Sequence, residues 1–212
     1  MICYDYINNY IRGKIKKSSG VLKELEEYAE KNHIPIVHPE VAALLRVLCS
    51  IKKPEKILEI GTAIGYSAIV FANLLKPGGR VDTIERYDVM MNMARENVDK
   101  SGLAHVINLI YGDASEVLKS LDMEYDVIFL DGAKGQYLDF LPECMRILKK
   151  GGIIISDNVL YKGMIANDGI IVRRKKTIVK RLRAYLDIIS NHEELETSIL
   201  SVGDGVAVSC KK

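Results

Sequence analysis

The chain has no tryptophan and only three phenylalanines. That disfavours a flat aromatic sandwich around a planar ligand, although Tyr66, Tyr137 and Tyr161 remain available. Its four cysteines, Cys3, Cys49, Cys144 and Cys210, are scattered without a Cys-x-x-Cys pair. This spacing argues against a zinc site and a disulfide scaffold, and fits the reduced thiols of a cytoplasmic protein. No apolar run approaches the roughly 20 residues that span a membrane. The amino terminus, Met1-Ile2-Cys3-Tyr4-Asp5-Tyr6, lacks a basic region followed by an apolar stretch, so no signal peptide is expected. The formal net charge is only +2, which does not imply a general polyanion binder. Repeats, low-complexity tracts and linkers are absent. With 212 residues, 48% of them hydrophobic, the chain reads as one domain with a helical amino-terminal extension over residues 1–52.

Within the extension, Val21, Leu22, Leu25, Tyr28 and Ala29 recur at helical spacing, with Ser18-Ser19 as a start signal. Ile34-Pro35-Ile36-Val37-His38-Pro39 breaks the pattern. A second helix follows through Val41, Leu44, Leu45 and Leu48. From Lys56 the chain alternates. Strands are expected at Ile57–Ile60, Arg80–Ile84, Val106–Tyr111, Tyr125–Leu130 and Gly152–Ser156. Helices are expected at Ser67–Leu75, Asp88–Ser101, Ala114–Ser120 and Tyr137–Lys149. Alternation of this kind predicts a parallel sheet covered on both faces. A basic helix over about Val172–Ser190 precedes two strands, Leu195–Ser201 and Val206–Cys210. Gly203-Asp204-Gly205 between them reads as a hairpin turn.

The segment Ile57-Leu58-Glu59-Ile60-Gly61-Thr62-Ala63-Ile64-Gly65-Tyr66-Ser67 carries the most information. It is a strand feeding a glycine-rich loop, the place where open α/β sheets bind nucleotide-like ligands. No Gly-Lys-Ser/Thr follows, which excludes a P-loop, and the spacing is not Gly-x-Gly-x-x-Gly. A glycine turn alone is common. Here Glu85 follows the next strand, where an acid can bond a ribose diol, and Asp131 closes a later one. Asp131 and the pair Asp157-Asn158 follow neighbouring strands. Three oxygen ligands converging there suit a hard cation such as Mg²⁺.

This pattern resembles the class I S-adenosylmethionine-dependent methyltransferases, a Rossmann-like fold whose seven-stranded, mostly parallel sheet ends in an antiparallel hairpin. Four stretches narrow the resemblance to the metal-dependent O-methyltransferases, which include the catechol and caffeoyl-coenzyme A enzymes. They are Leu58–Thr62 with Gly65–Ser67, Asp131–Tyr137, Ser156–Leu160 and Gly203–Gly205. The resemblance implies that Asp131, Asp157 and Asn158 hold the metal. It implies that Val37, Glu59, Gly61, Ser67, Glu85, Asp113, Ala114 and Asp131 lie around the methyl donor, and it implies a homodimer. Lys134, three residues after Asp131, is the candidate base for the substrate hydroxyl. Met90, Met91 and Met93 are candidates for an adenine pocket as well as for core packing. His33 and His38 flank Pro35 near the expected entrance.

Val172–Tyr185 carries seven basic residues and no acid. On a helix, Ile178, Leu182, Tyr185 and Ile189 make an apolar stripe, with Arg173, Lys176, Lys180 and Arg183 opposite. A polyanion is the natural partner of such a face. Together with Asp157–Gly163, this stretch resembles the bacterial branch that methylates 5-hydroxyuridine at the tRNA wobble position. That resemblance implies a tRNA anticodon loop as partner. Arg12, Lys14, Lys16 and Lys17 are further candidate contacts. A small catechol or hydroxycinnamoyl acceptor, and a noncatalytic binding module on the same fold, are the alternatives.

Overall fold

The computed structural model describes residues 3–212. Three amino-terminal helices, α1 (Asp5–Arg12), α2 (Val21–Asn32) and α3 (Pro39–Lys52), precede an alternating α/β region. There, β1 (Lys56–Ile60), α4 (Tyr66–Ala72), β2 (Arg80–Glu85) and α5 (Asp88–Ser101) lead to β3 (Ile107–Tyr111) and α6 (Ala114–Ser120). They are followed by β4 (Tyr125–Leu130), α7 (Tyr137–Ile147), β5 (Leu148–Asp157), α8 (Lys176–Asn191), β6 (Leu195–Leu200) and β7 (Val206–Lys211). The seven strands form one sheet in the order β3-β2-β1-β4-β5-β7-β6. The first five run parallel, and β7 pairs antiparallel with both β5 and β6. This is the Rossmann-like methyltransferase fold with its closing antiparallel hairpin.

Alternation along the central strands feeds two cores. Ile57, Val127, Phe129 and Ile155 point to the side covered by α2, α3, α4 and α5. Leu58, Ile60, Ile128, Leu130 and Ile154 point to the side covered by α6, α7 and α8. Both faces of each central strand are thus buried, as a parallel sheet requires. Among the described residues, no helix is long and apolar enough to cross a membrane.

The boundaries differ from the sequence expectations at physically identifiable points. The helix beginning near Ser18-Ser19 starts instead after Gly20, whose φ of 58° breaks the chain, and Ser18 Oγ donates to Glu26 (2.6 Å). The helix expected to run to Lys149 stops at Ile147, because Leu148 already pairs with Tyr125. The basic helix expected from Val172 begins at Lys176, after a separate 3₁₀ turn at Arg173–Lys175. The strand expected from Val106 begins at Ile107, since the Val106 amide turns back to Leu103 O (3.0 Å).

Candidate active site

The strand order reverses between β1 and β4, which leaves a crevice beyond their carboxyl ends. A cleft of about 660 Å³ lies there, and Ile34, Pro35, Ile36 and His38 form one wall. The loops after β1 and β4 touch backbone to backbone at its floor. A Cβ on Gly61 would lie 2.7 Å from Gly132 N, and Gly61 has φ +103°. Only glycine meets both conditions.

Five strand ends contribute side chains to the lining: Gly61 after β1, Glu85 at the end of β2, Asp113 and Ala114 after β3, Asp131 and Lys134 after β4, and Asp157 with Asn158 at β5. Glu85 is held rigidly. Its Oε2 accepts from Ala63 N (3.0 Å), and its Oε1 accepts from Arg86 N and Tyr87 N (2.9 Å each). Asp113 caps α6 through Ser115 N (2.9 Å) and lies 3.5 Å from Arg86. The Ser115 amide bond, aided by Arg86, holds its carboxyl below the usual range. Of the three methionines, Met90 lines the cleft and also packs on the core, whereas Met91 is buried.

Three residues expected around the donor do not line this cleft. Val37 turns into the core. Ser67 and Glu59 are also buried. Thr83 Oγ1 donates to Glu59 Oε2 (2.6 Å), while Glu59 Oε1 has no hydrogen-bond partner among the described residues. Burial pushes this carboxyl up to about 7, with Ser67 and Thr83 opposing and Glu85 adding to the rise. An unpartnered buried acceptor behind the glycine loop matches a ligand with a cationic donor, as the amino-acid tail of a methyl donor has.

Burial raises the carboxyls of both Asp131 and Asp157, and Lys134 opposes the rise at each. Glu59 adds to it at Asp131, and Asp131 adds to it at Asp157. Lys134 Nζ is 3.8 Å from Asp131 Oδ1. Asn158, at φ 58°, donates its amide to Asp157 Oδ1 (2.7 Å). Two repelling enclosed acids beside an amide side chain are an oxygen-only set suited to a hard divalent cation. No group of three His, Cys, Asp or Glu side chains placed to hold a metal occurs among the described residues, so Asn158 is needed to complete such a set.

The scaffold around these acids was less visible in the sequence. Tyr137 is wholly buried, and its hydroxyl lies 2.8 Å from Leu130 O and 3.1 Å from Asp157 O. Tyr66 is also buried and donates to Glu26 (2.6 Å). Neither tyrosine is therefore available to an acceptor, contrary to expectation. Tyr161 remains partly exposed, with Lys175 Nζ 5.6 Å from its ring centroid. Arg181 donates to Gly135 O and to Asp139, tying α8 to the turn that carries Lys134. Gly203-Asp204-Gly205, expected to be a simple hairpin turn, braces the loop after Asn158: Val159 N donates to Gly205 O (3.0 Å) and Leu160 N to Asp204 O (3.1 Å).

The basic segment also differs. Arg173 precedes the helix, so it does not share a helical face with Lys176 and Lys180. Arg183 is committed internally: it donates to Ile165 O (2.9 Å) and pairs with Asp168 (2.6 Å). Arg173, Arg174, Lys176 and Lys180 remain exposed.

Comparison with known proteins fits this geometry. A model of the O-methyltransferase family matches residues 14–212. A catechol O-methyltransferase from Niastella koreensis is 28% identical over 83% of this chain and 82% of its own. A structure described as a putative caffeoyl-CoA O-methyltransferase from Staphylococcus aureus superposes with a TM-score of 0.91. It is 33% identical and covers 98% of this chain and 100% of its own. An O-methyltransferase from Bacillus cereus, solved in complex with SAH, gives 0.87 at 25% identity and covers all of both chains. The protein therefore belongs to the O-methyltransferase family and is an S-adenosylmethionine-dependent enzyme resembling the caffeoyl-CoA and catechol O-methyltransferases.

Proposed function

We propose that this enzyme methylates the 5-hydroxyl of 5-hydroxyuridine at the tRNA wobble position, with a divalent cation at Asp131, Asp157 and Asn158. The observation that carries this reading is the pairing of an oxygen-ligand site with a cationic border. Asp131 and Asp157 line the cleft, while α8, which bears exposed Lys176 and Lys180, is joined to the Lys134 turn through Arg181. The acceptor suits such a site, because the 5-hydroxyl and 4-carbonyl oxygens of the base are neighbours, as in a catechol. An anticodon loop can splay its base into a pocket, and its phosphates meet the lysines.

The residues divide the work. Glu85, fixed by three amides, accepts from the donor's ribose hydroxyls. Asp113 borders the adenine. Glu59 and Ser67 serve the amino-acid tail behind the loop. A divalent cation held by Asp131, Asp157 and Asn158 would supply positive charge that lowers the acceptor hydroxyl's pKa. Lys134, acting as the neutral amine, takes the hydroxyl proton and becomes the ammonium that faces Asp131. The oxygen then attacks the methyl carbon in line, the C–O bond forms as the C–S bond breaks, and the sulfur departs as a neutral thioether. Holding donor and acceptor in that line is a large part of the catalysis.

The second reading is a small catechol or caffeoyl-CoA-type acceptor, favoured by the names of the relatives. One experiment separates the two: transfer from labelled S-adenosylmethionine to tRNA containing 5-hydroxyuridine, read by nucleoside mass spectrometry with and without chelator. A 5-methoxyuridine product that chelator abolishes supports the tRNA reading. Turnover of catechol or caffeoyl-CoA with no tRNA product refutes it.

A further inference from the structure

A second basic stretch lies at the other end of the chain. Residues 6–23 contain five basic residues and no acid. One of the five is structural: Arg12 donates twice to the buried Glu40 (2.8 and 2.9 Å) and once to His38 Nδ1 (3.3 Å). His38 lines the active-site cleft, so Arg12 pins the end of α1 to the cleft rim. Lys14, Lys16 and Lys17 follow directly and are exposed. Among the described residues, Lys16 and Lys17 form no ion pair.

Lys16 and Lys17 border a depression of about 990 Å³ that shares Ile34, Pro35, Ile36 and His38 with the cleft. One short strap thus separates the two hollows. The rim continues beyond His38. A Cβ on Gly203 would lie 3.4 Å from His38 Cδ2, Asp204 accepts from Lys162 N (2.6 Å), and Lys175 lies over the Tyr161 ring. Basic residues thus stand on both sides of the cleft mouth, the amino-terminal lysines on one and Lys175 on the other, with Asp204 between them and Glu26, Glu27 and Glu30 on the far wall of the depression.

The same segment displays aromatic rings. Tyr6 and Tyr10 are 69% and 68% exposed. Tyr4 stacks on Tyr6 at 5.5 Å, and Lys14 Nζ is 5.1 Å from the Tyr10 ring centroid. Packing within the chain does not account for rings so exposed. Aromatic faces interleaved with lysines form a stacking platform for unpaired bases together with a track for their phosphates.

We propose that Tyr4–Lys17 is an RNA-docking surface for nucleotides flanking the target base. Tyr6 and Tyr10 stack on bases, while Lys14, Lys16 and Lys17 meet phosphates. This inference rests on the tRNA reading above. Its test uses the full-length enzyme and two double variants, Lys16→Glu/Lys17→Glu and Tyr6→Ala/Tyr10→Ala. Steady-state kinetics with tRNA carrying 5-hydroxyuridine, S-adenosylmethionine affinity, and molar mass by light scattering are measured for each. The KM for tRNA rises at least tenfold in each variant, while kcat and donor affinity stay within twofold. The lysine variant also loses about 1.4 from the salt slope of RNA binding, since each single-strand phosphate contact contributes about 0.7.

An unchanged KM for tRNA overturns the proposal. So does an equal loss of donor affinity, which marks a folding defect. A tyrosine variant with altered molar mass also overturns it, because a second copy of the chain then covers this face. If the wild-type enzyme leaves tRNA unmodified, the tRNA reading itself falls. If it modifies tRNA and both variants match it, only the docking surface falls.

Discussion

Replacing Asp157 with asparagine stabilises the cation-free protein while removing a candidate metal ligand. Asp157 is 1% exposed. Burial and the neighbouring Asp131 push its carboxyl from 3.8 up to about 8. An acid whose pKa is higher in the folded than in the unfolded chain favours folding while both forms are protonated. That advantage erodes as pH rises above about 4, where the unfolded form ionises first, and the erosion ends near pH 8. At about 1.4 kcal/mol per tenfold change, the full effect has an upper bound on the order of 6 kcal/mol. Part of it belongs to repulsion shared with Asp131, and a buried amide has its own desolvation cost. Roughly 2 kcal/mol is therefore recovered by the substitution. Asparagine keeps an acceptor for the Asn158 amide, so the local hydrogen bond survives. For a domain of this size, about 2 kcal/mol corresponds to a Tm increase of roughly 4–8 °C at pH 8 in chelator, shrinking toward zero at pH 4. Scanning calorimetry from pH 4 to pH 8, with and without excess Mg²⁺, measures both effects. Mg²⁺ raises the wild-type Tm by mass action and leaves the variant unmoved. A variant no more stable than wild type at pH 8 in chelator, or parallel pH curves, would refute the electrostatic account.

Other substitutions probe separate parts of the site. Lys134→Met lowers kcat by about 10²–10⁴-fold, the usual contribution of a positioned base, while calorimetric donor affinity stays the same; a fall of less than tenfold removes Lys134 from that role. Gly61→Ala forces a Cβ to within 2.7 Å of Gly132 N, so donor affinity falls at least tenfold and urea stability drops by about 1–3 kcal/mol; retention of wild-type affinity contradicts the floor geometry. Tyr137→Phe keeps the ring and removes the hydroxyl beside Leu130 O and Asp157 O, which costs about 1–3 kcal/mol in urea titration. Arg181→Met frees Gly135 O and lowers kcat more than it raises KM, by about tenfold, and rescue of kcat by lysine at 181 would argue against the planar clamp.

The sequence exposed those parts of the fold with a strong local signal. Apolar runs ending in Glu59, Glu85, Asp131 and Asp157 defined four strand ends. The spacing of Asp88–Ser101 and Ala114–Ser120 matched the helices found. Glu85, Asp131, Asp157 and Lys134 line one cleft, with Glu59 buried behind it, because strand ends converge at the reversal of strand order, which alternation predicts without coordinates. What stayed hidden depends on long-range contacts. Tyr137 resembled an available aromatic because nothing local shows that its hydroxyl reaches the ends of two strands. Arg183 reads as part of a basic face for a polyanion and nothing local marks Arg181, since their partners Asp168 and Gly135 lie 15 and 46 residues away in sequence. The early start of β5 at Leu148 came from pairing with Tyr125, a tertiary effect that overrides helical periodicity.

The placement of the Tyr137 hydroxyl bears on how adaptable the acid pair is. One phenol contacts the last carbonyl of β4 and the last carbonyl of β5, and behind it the Tyr185 hydroxyl lies 2.6 Å from Ser156 Oγ. The ends of β4 and β5 that carry Asp131 and Asp157 are thus linked from behind by a buried ring at the start of α7. A cation held there would have to suit the separation that this packing sets. Discrimination between ions of different radius would then be a property of the hydrophobic core, altered by repacking beneath the site even when every ligand is left in place.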